Sequence, residues 1–245
     1  MTHKRLTLLL ALALCAQGAV WLSLRHEQAR WPGTPPVPRS AGALALGDAQ
    51  LAYRIAGLTL QNMGDMGGNT TPLSDYDYSA LGRWFALMDA MDPRANFAPY
   101  LAAYYFGGTQ NPQDLGPIVD YLARVGTRPE PPGPQSMKWR WLAQGVFLAR
   151  YRMKDMPLAR SLARDLSALA VERGDLPIWA RNMEAMVASA MGEKEAALGL
   201  LLALLKDGAQ NLDPTEVNAT VEYLCRQVFT ADEAAQAEIC AGVAR

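Results

Sequence analysis

The chain has 245 residues, 50% of them hydrophobic and 19% charged, with a formal net charge of −1. A balance this close to neutral excludes a general nucleic-acid binder, which needs a basic surface to meet phosphates. The only two histidines, His3 and His26, flank an N-terminal apolar run, which excludes a Ser–His or Cys–His arrangement and a His-rich metal site in the rest of the chain.

That run opens on Leu6 and closes on Leu24. It holds eight Leu, four Ala and no charge over 19 residues. At 1.5 Å per residue it covers about 28 Å, against a hydrocarbon core of about 30 Å. Lys4 and Arg5 precede it and Arg25 and Arg30 follow it, partly offset by Glu27. The weak positive bias favours a cytoplasmic N-terminus and an exported body, which is periplasmic if the source is Gram-negative. Trp21 and Trp31 lie near the outer boundary, where indoles favour the headgroup layer. The primary reading is a signal-anchor or transmembrane helix over residues 1–24. Two others stay open. Ala16-Gln17-Gly18 supplies small residues for signal cleavage before Ala19. Leu12-Ala13-Leu14-Cys15 resembles a lipobox ending at Cys15, although Leu14 stands where that pattern wants a small residue.

Residues 25–43 read as a proline-rich linker, four prolines falling between Trp31 and Ala43. Proline density of this kind gives a stiff, extended spacer of at most about 40 Å. Residues 44–245 then read as one all-helical domain. It lacks sustained alternation of apolar and polar residues, so a sheet is not expected.

A first helix over about 48–64 carries Leu51, Ile55, Leu58 and Met63 as its apolar stripe. Ser74 or Asp75 caps a second, which stops at Asp92-Pro93 because the residue before proline leaves the α region. A third covers about 96–107 and a fourth about 112–125, with Gly126 past its end. The proline-rich crossing at 127–136 is an exposed loop or a seam between subdomains. Helices follow at about 136–153, 156–173, 176–191 and 194–207. Asp213 with Pro214 and Glu216, and Thr230 with Glu233, start the last two in capping-box fashion. The result is about five antiparallel helical hairpins. The last four begin near 96, 136, 176 and 214.

Gly192, Ala196, Ala197, Leu198, Leu201, Leu204 and Leu205 resemble the second helix of a tetratricopeptide repeat. Gly192 takes the inter-helix turn, Ala197 the helix crossing, and Ala185 the small position of the preceding helix. Ala159 matches the crossing alanine one hairpin earlier, and Asp92-Pro93 the repeat's closing pair. The similarity spans roughly residues 75–207. Small residues at a crossing let two helices approach closely. The resemblance implies a solenoid of stacked hairpins whose first helices line a concave face. Mapped so, Phe97, Tyr100 and Tyr104 share that face with Trp141, Gln144 and Tyr151 of the next hairpin. Trp179, Asn182 and Met186 follow on the one after. An irregular helical bundle is the competing architecture, and in it these residues are core.

Nothing points to catalysis or to a cofactor. There is no glycine-rich phosphate loop behind a strand, and Cys225 and Cys240 lack metal or redox spacing. In an oxidising compartment those two cysteines invite a disulfide; two buried thiols is the alternative. Nine of the chain's twenty aromatics fall between Tyr76 and Phe106, and aromatics and Met are good anchors for a partner. Residues 138–181 carry a net charge of +5 (nine basic, four acidic), and residues 182–245 a net of −6 (four basic, ten acidic). Such halves can steer a partner or let copies associate. The expectation is a membrane-tethered, extracytoplasmic, non-catalytic scaffold or adaptor for another envelope protein. The alternatives are a glycan- or peptide-binding exported protein and a structural subunit of a membrane complex.

Overall fold

The computed structural model describes residues 3–24, 33–62, 71–130, 133, 137–208 and 214–243. Every regular element among them is helical. Asp213, His26, Trp31 and Met63 lie outside the described residues, and so do the calls that rest on them.

Helix α1 (His3–Leu24) carries the apolar run. Its described side chains, residues 7–23, are exposed all round except at Gly18. Among the described residues no helix is long and apolar enough to cross a membrane.

The extended-spacer reading is corrected in its second half. Pro38 opens helix α2 (Pro38–Leu44), because a fixed φ and a missing N–H suit the first helical position. The chain just before α2 is held on the body, where Trp84 Nε1 donates to the Gly33 carbonyl at 3.0 Å.

The Asp48 carboxylate accepts from the N–H groups of Gln50 and Leu51 and starts α3 (Ala49–Asn62). The buried face of α3 is Ala52, Tyr53, Ala56, Gly57 and Leu60. The expected stripe of Leu51, Ile55 and Leu58 faces outward. The helix is apolar on two sides, and the side bearing small residues makes the closer packing.

Helix α4 (Tyr78–Met91) is capped by Asp77, whose side chain accepts from Ala80 N–H at 2.9 Å. Ser74 and Asp75 do not cap it, because Leu73–Asp75 close their own 3-10 turn. α5 (Phe97–Tyr100) continues through a π turn (Leu101–Tyr105) and a 3-10 turn (Phe106–Gly108). α6 (Gly116–Gly126) follows. α7 (Trp139–Phe147) widens into a second π turn (Leu148–Met153) and ends at Lys154, φ 57°. Asp155 caps α8 (Met156–Arg173), and Gly174 ends it with φ 71°.

α9 (Ile178–Arg181) and α10 (Met183–Ala190) form one helix interrupted at Asn182. Gly192, φ 79°, turns the chain into α11 (Lys194–Gly208). α12 (Pro214–Tyr223) runs into a third π turn (Leu224–Val228). Thr230 and Glu233 then form a complete capping box on α13 (Ala231–Gln236). The chain leaves the helical path at Ala237, makes a 3-10 turn (Glu238–Cys240), and brings Cys240 to Cys225. The two form a disulfide with Cα atoms 5.8 Å apart.

Packing proceeds along the chain: α3 on α4, α4 on α6, α6 on α7, α7 on α8, α8 on α10 and α10 on α11. One core runs from Tyr53 to Val187, centred on Phe85, Phe106 and Tyr121. Val125 and Trp139, on the two sides of residues 127–136, belong to this same cluster. The break in the core lies later, where Ala185, Ala188, Ala197, Leu201, Leu224 and Val228 form a second cluster. Gly126 permits the α6–α7 contact. A Cβ there would sit 2.7 Å from Leu142 Cα. Gly126 is thus the last residue of α6 and a close-approach site, not a chain-reversing glycine beyond the helix.

A polar knot fixes the Asp92-Pro93 turn against α6 and α7. Arg128 Nη1 donates to Asp89 Oδ1 and to the Pro93 carbonyl, each at 3.1 Å. Lys138, 3% exposed, donates from Nζ to the Ala95 carbonyl at 2.8 Å. Burial pushes the Lys138 ammonium below its ordinary value.

Candidate partner-binding face

Side chains from the π turn after α5, from α7 and from α9 meet around one cleft of about 460 Å³. Tyr104 comes from the π turn after α5. Trp139, Arg140 and Gln144 come from α7, and Trp179 from α9. Asp175 lies on the loop between α8 and α9.

Local chemistry sets each position. Tyr104 is 54% exposed and stacks at 5.1 Å on Tyr100, itself 53% exposed. Its hydroxyl accepts from Gln144 Nε2 at 2.9 Å, which ties the π turn after α5 to α7. Trp179, 41% exposed, lies 5.4 Å from the ring of Trp139. The exposed guanidinium of Arg140 sits 5.4 Å over the Trp139 ring. Farther along the same helical path, Phe147 and Tyr151 are also exposed and stack on each other at 5.1 Å.

Asp175 has its acceptors engaged. It takes two hydrogen bonds from Arg173, at 2.9 and 2.8 Å, and one from Gly133 N–H at 2.8 Å. The Arg173 guanidinium holds the Asp175 carboxyl down to about 2. The cleft therefore offers aromatic faces, the Gln144 amide, and the Arg140 cation, for which the described residues supply no acid. Its volume is in the range that anchors a small ligand or a few side chains.

The residues expected on this face divide. Tyr100, Tyr104, Gln144 and Trp179 come together and reach solvent. Trp141 does not: it is 7% exposed and donates from Nε1 to Asn96 Oδ1 at 2.9 Å, a core placement. Asn182, 5% exposed, donates from Nδ2 to Thr220 Oγ1 at 2.9 Å and braces α12. Met186 is half-buried. Phe97 lies over Gly57 at the edge of α3, where a Cβ on Gly57 would come 2.7 Å from its ring. Cys225 and Cys240 are remote in sequence, on the second core cluster's side of the fold. Trp139, Arg140 and Asp175 escape sequence reasoning. Trp139 and Trp141 are each 7% exposed, and the Trp139-Arg140-Trp141 triplet gives no sign in sequence that the first of them lines the cleft.

The opposed charges of residues 138–181 and 182–245 partly cancel within the chain. Arg160 pairs with Glu193, and Arg164 with Glu184 at 3.3 Å. No group of His, Cys, Asp and Glu suited to a metal occurs among the described residues. No family model matches the chain, and no curated protein or solved structure shows significant similarity to it.

Proposed function

We propose that the chain is a membrane-tethered, non-catalytic adaptor: α1 anchors it, and a helical-repeat body binds another envelope protein through the aromatic face. The observation that carries this reading is the cleft, which the exposed Tyr104 and Trp179 line together with the largely buried Trp139. Aromatic side chains rich in area and poor in rotamers are the usual anchors of a protein interface. Order along the chain also supports stacked hairpins, since each element packs on its sequence neighbours. Ala159, Ala185 and Ala197, which the tetratricopeptide resemblance assigns to helix crossings, are buried. The tether rests on α1. A helix apolar on every side is stable only when covered, and a bilayer covers all sides at once.

The test is retention of a partner from detergent-solubilised membranes with the full chain as bait. A discrete partner held by the native chain and released by Tyr104→Ala with Trp179→Ala supports the adaptor. Absence of both a stable partner and self-assembly counts against it. A small glycan is the competing occupant of a cleft walled by Tyr104 and Trp179. A thermal shift with oligosaccharides, lost in Trp179→Ala, would favour it.

A further inference from the structure

The stripe of Leu51, Ile55 and Leu58 has the spacing of a buried helix face, yet all three side chains are exposed on α3. Beside it lies a groove of about 130 Å³ lined by Pro36, Ala41, Ala45, Ile55 and Trp84 among others, almost all apolar. The turn that joins α2 to α3 ends this patch with Leu46, 94% exposed and held at φ 57°. Bulky L-residues rarely adopt that conformation. It fixes an apolar side chain in water beside a buried Ala45. Val37 is exposed just ahead of α2, and the exposed Arg39 and Arg54 make no hydrogen bond or ion pair among the described residues.

The path of the chain selects the occupant. Gly33 is pinned by Trp84, a residue of the groove itself. Residues 25–32 are therefore the whole connection between α1 and this patch, a reach of at most about 28 Å. Whatever surface holds α1 is held next to the α2–α3 patch. Leucines with flanking arginines suit the interface of a bilayer, where apolar side chains enter the acyl boundary and guanidinium groups stay with headgroup phosphates.

We propose that the α2–α3 patch docks the body directly onto the lipid surface, with Leu46 inserted. The inference rests on the tether reading. It replaces a body held away on a spacer with one seated on the membrane.

The full chain carrying Cys15→Ser and Leu46→Cys, with an environment-sensitive fluorophore at position 46, is reconstituted into phosphatidylcholine–phosphatidylglycerol vesicles. A second protein carries the label through Glu172→Cys, an exposed residue of α8. Blue-shifted emission at position 46, quenched by doxyl lipids and absent at position 172, supports docking. A protein that floats with the vesicles while position 46 stays as solvent-exposed as position 172 keeps the tether and overturns docking. A protein that does not float overturns both. Shielding of position 46 in detergent that grows with protein concentration assigns the patch to a second copy and overturns the lipid proposal.

Discussion

Tyr121 sits in the centre of the main core, stacked on Phe85 at 5.1 Å, with its hydroxyl buried and unpartnered. Burial pushes its phenol far above the ordinary value. A buried hydroxyl without a partner costs desolvation that no hydrogen bond returns. Tyr121→Phe should therefore leave stability unchanged or raise it by up to about 1 kcal/mol, read as the urea midpoint. Gly126 gives the opposite case. An added methyl meets the backbone of Leu142, which cannot step aside without moving α7. Gly126→Ala should cost about 3 kcal/mol by the same measurement, near the top of the range for overpacking. At this scale the sequence is legible where a residue acts locally and opaque where it acts at a distance. Thr230 and Glu233 make the capping box their spacing implies. Trp141 gives no local sign that Asn96 will hold its indole in the core.

At the scale of elements, α8 carries the bounds its caps imply, Met156–Arg173, because Asp155 and Gly174 are both next to it in sequence. α3 was harder to read. Its two apolar faces give the same period, and only tertiary contact shows that Tyr53 and Leu60 are the inner ones. The π turns that follow α5, α7 and α12 were also hidden, since one extra residue per turn barely changes an apolar period. Two of them present Tyr104 and Tyr151 to solvent.

The C-terminal hairpin invites two measurements. Cys225 and Cys240 close a loop with a sequence separation of 15, and replacing both with Ser should cost about 3 kcal/mol. Calorimetry with and without reductant reads that loss. Glu233 is held down to about 2, from an ordinary 4.5, by the Lys194 ammonium first and the Thr230 N–H and hydroxyl next. Its folded value lies below the unfolded one, so the unfolded chain takes up the proton first as pH falls. The contribution is complete above about pH 4.5 and is lost as pH drops towards 2. Protection of the Glu233 and Ala234 amides, taken relative to their intrinsic exchange rates at each pH, should fall across that window, and Lys194→Ala should narrow it.

Over the whole molecule, the helical class was legible in composition and periodicity, while the placement of the core break was not. The proline-rich crossing at 127–136 looks like a boundary in sequence, but α6 and α7 pack across it around Gly126. The second cluster begins instead within the α10–α11 hairpin, which no linker marks. The candidate face was half legible. Tyr104, Gln144 and Trp179 are on the face that the repeat resemblance implies, and Trp139, Arg140 and Asp175 join the cleft only through tertiary packing.

The adaptor reading places a protein partner over that cleft while the chain is membrane-bound, and a photo-crosslinker tests this directly. The full chain is produced with p-benzoylphenylalanine in place of Trp179, and in a separate preparation in place of the exposed Glu172 of α8. After irradiation of intact membranes, position 179 should yield one discrete protein adduct that Tyr104→Ala weakens, and position 172 should yield none. Equal adducts at both positions, or none at position 179, would contradict the account.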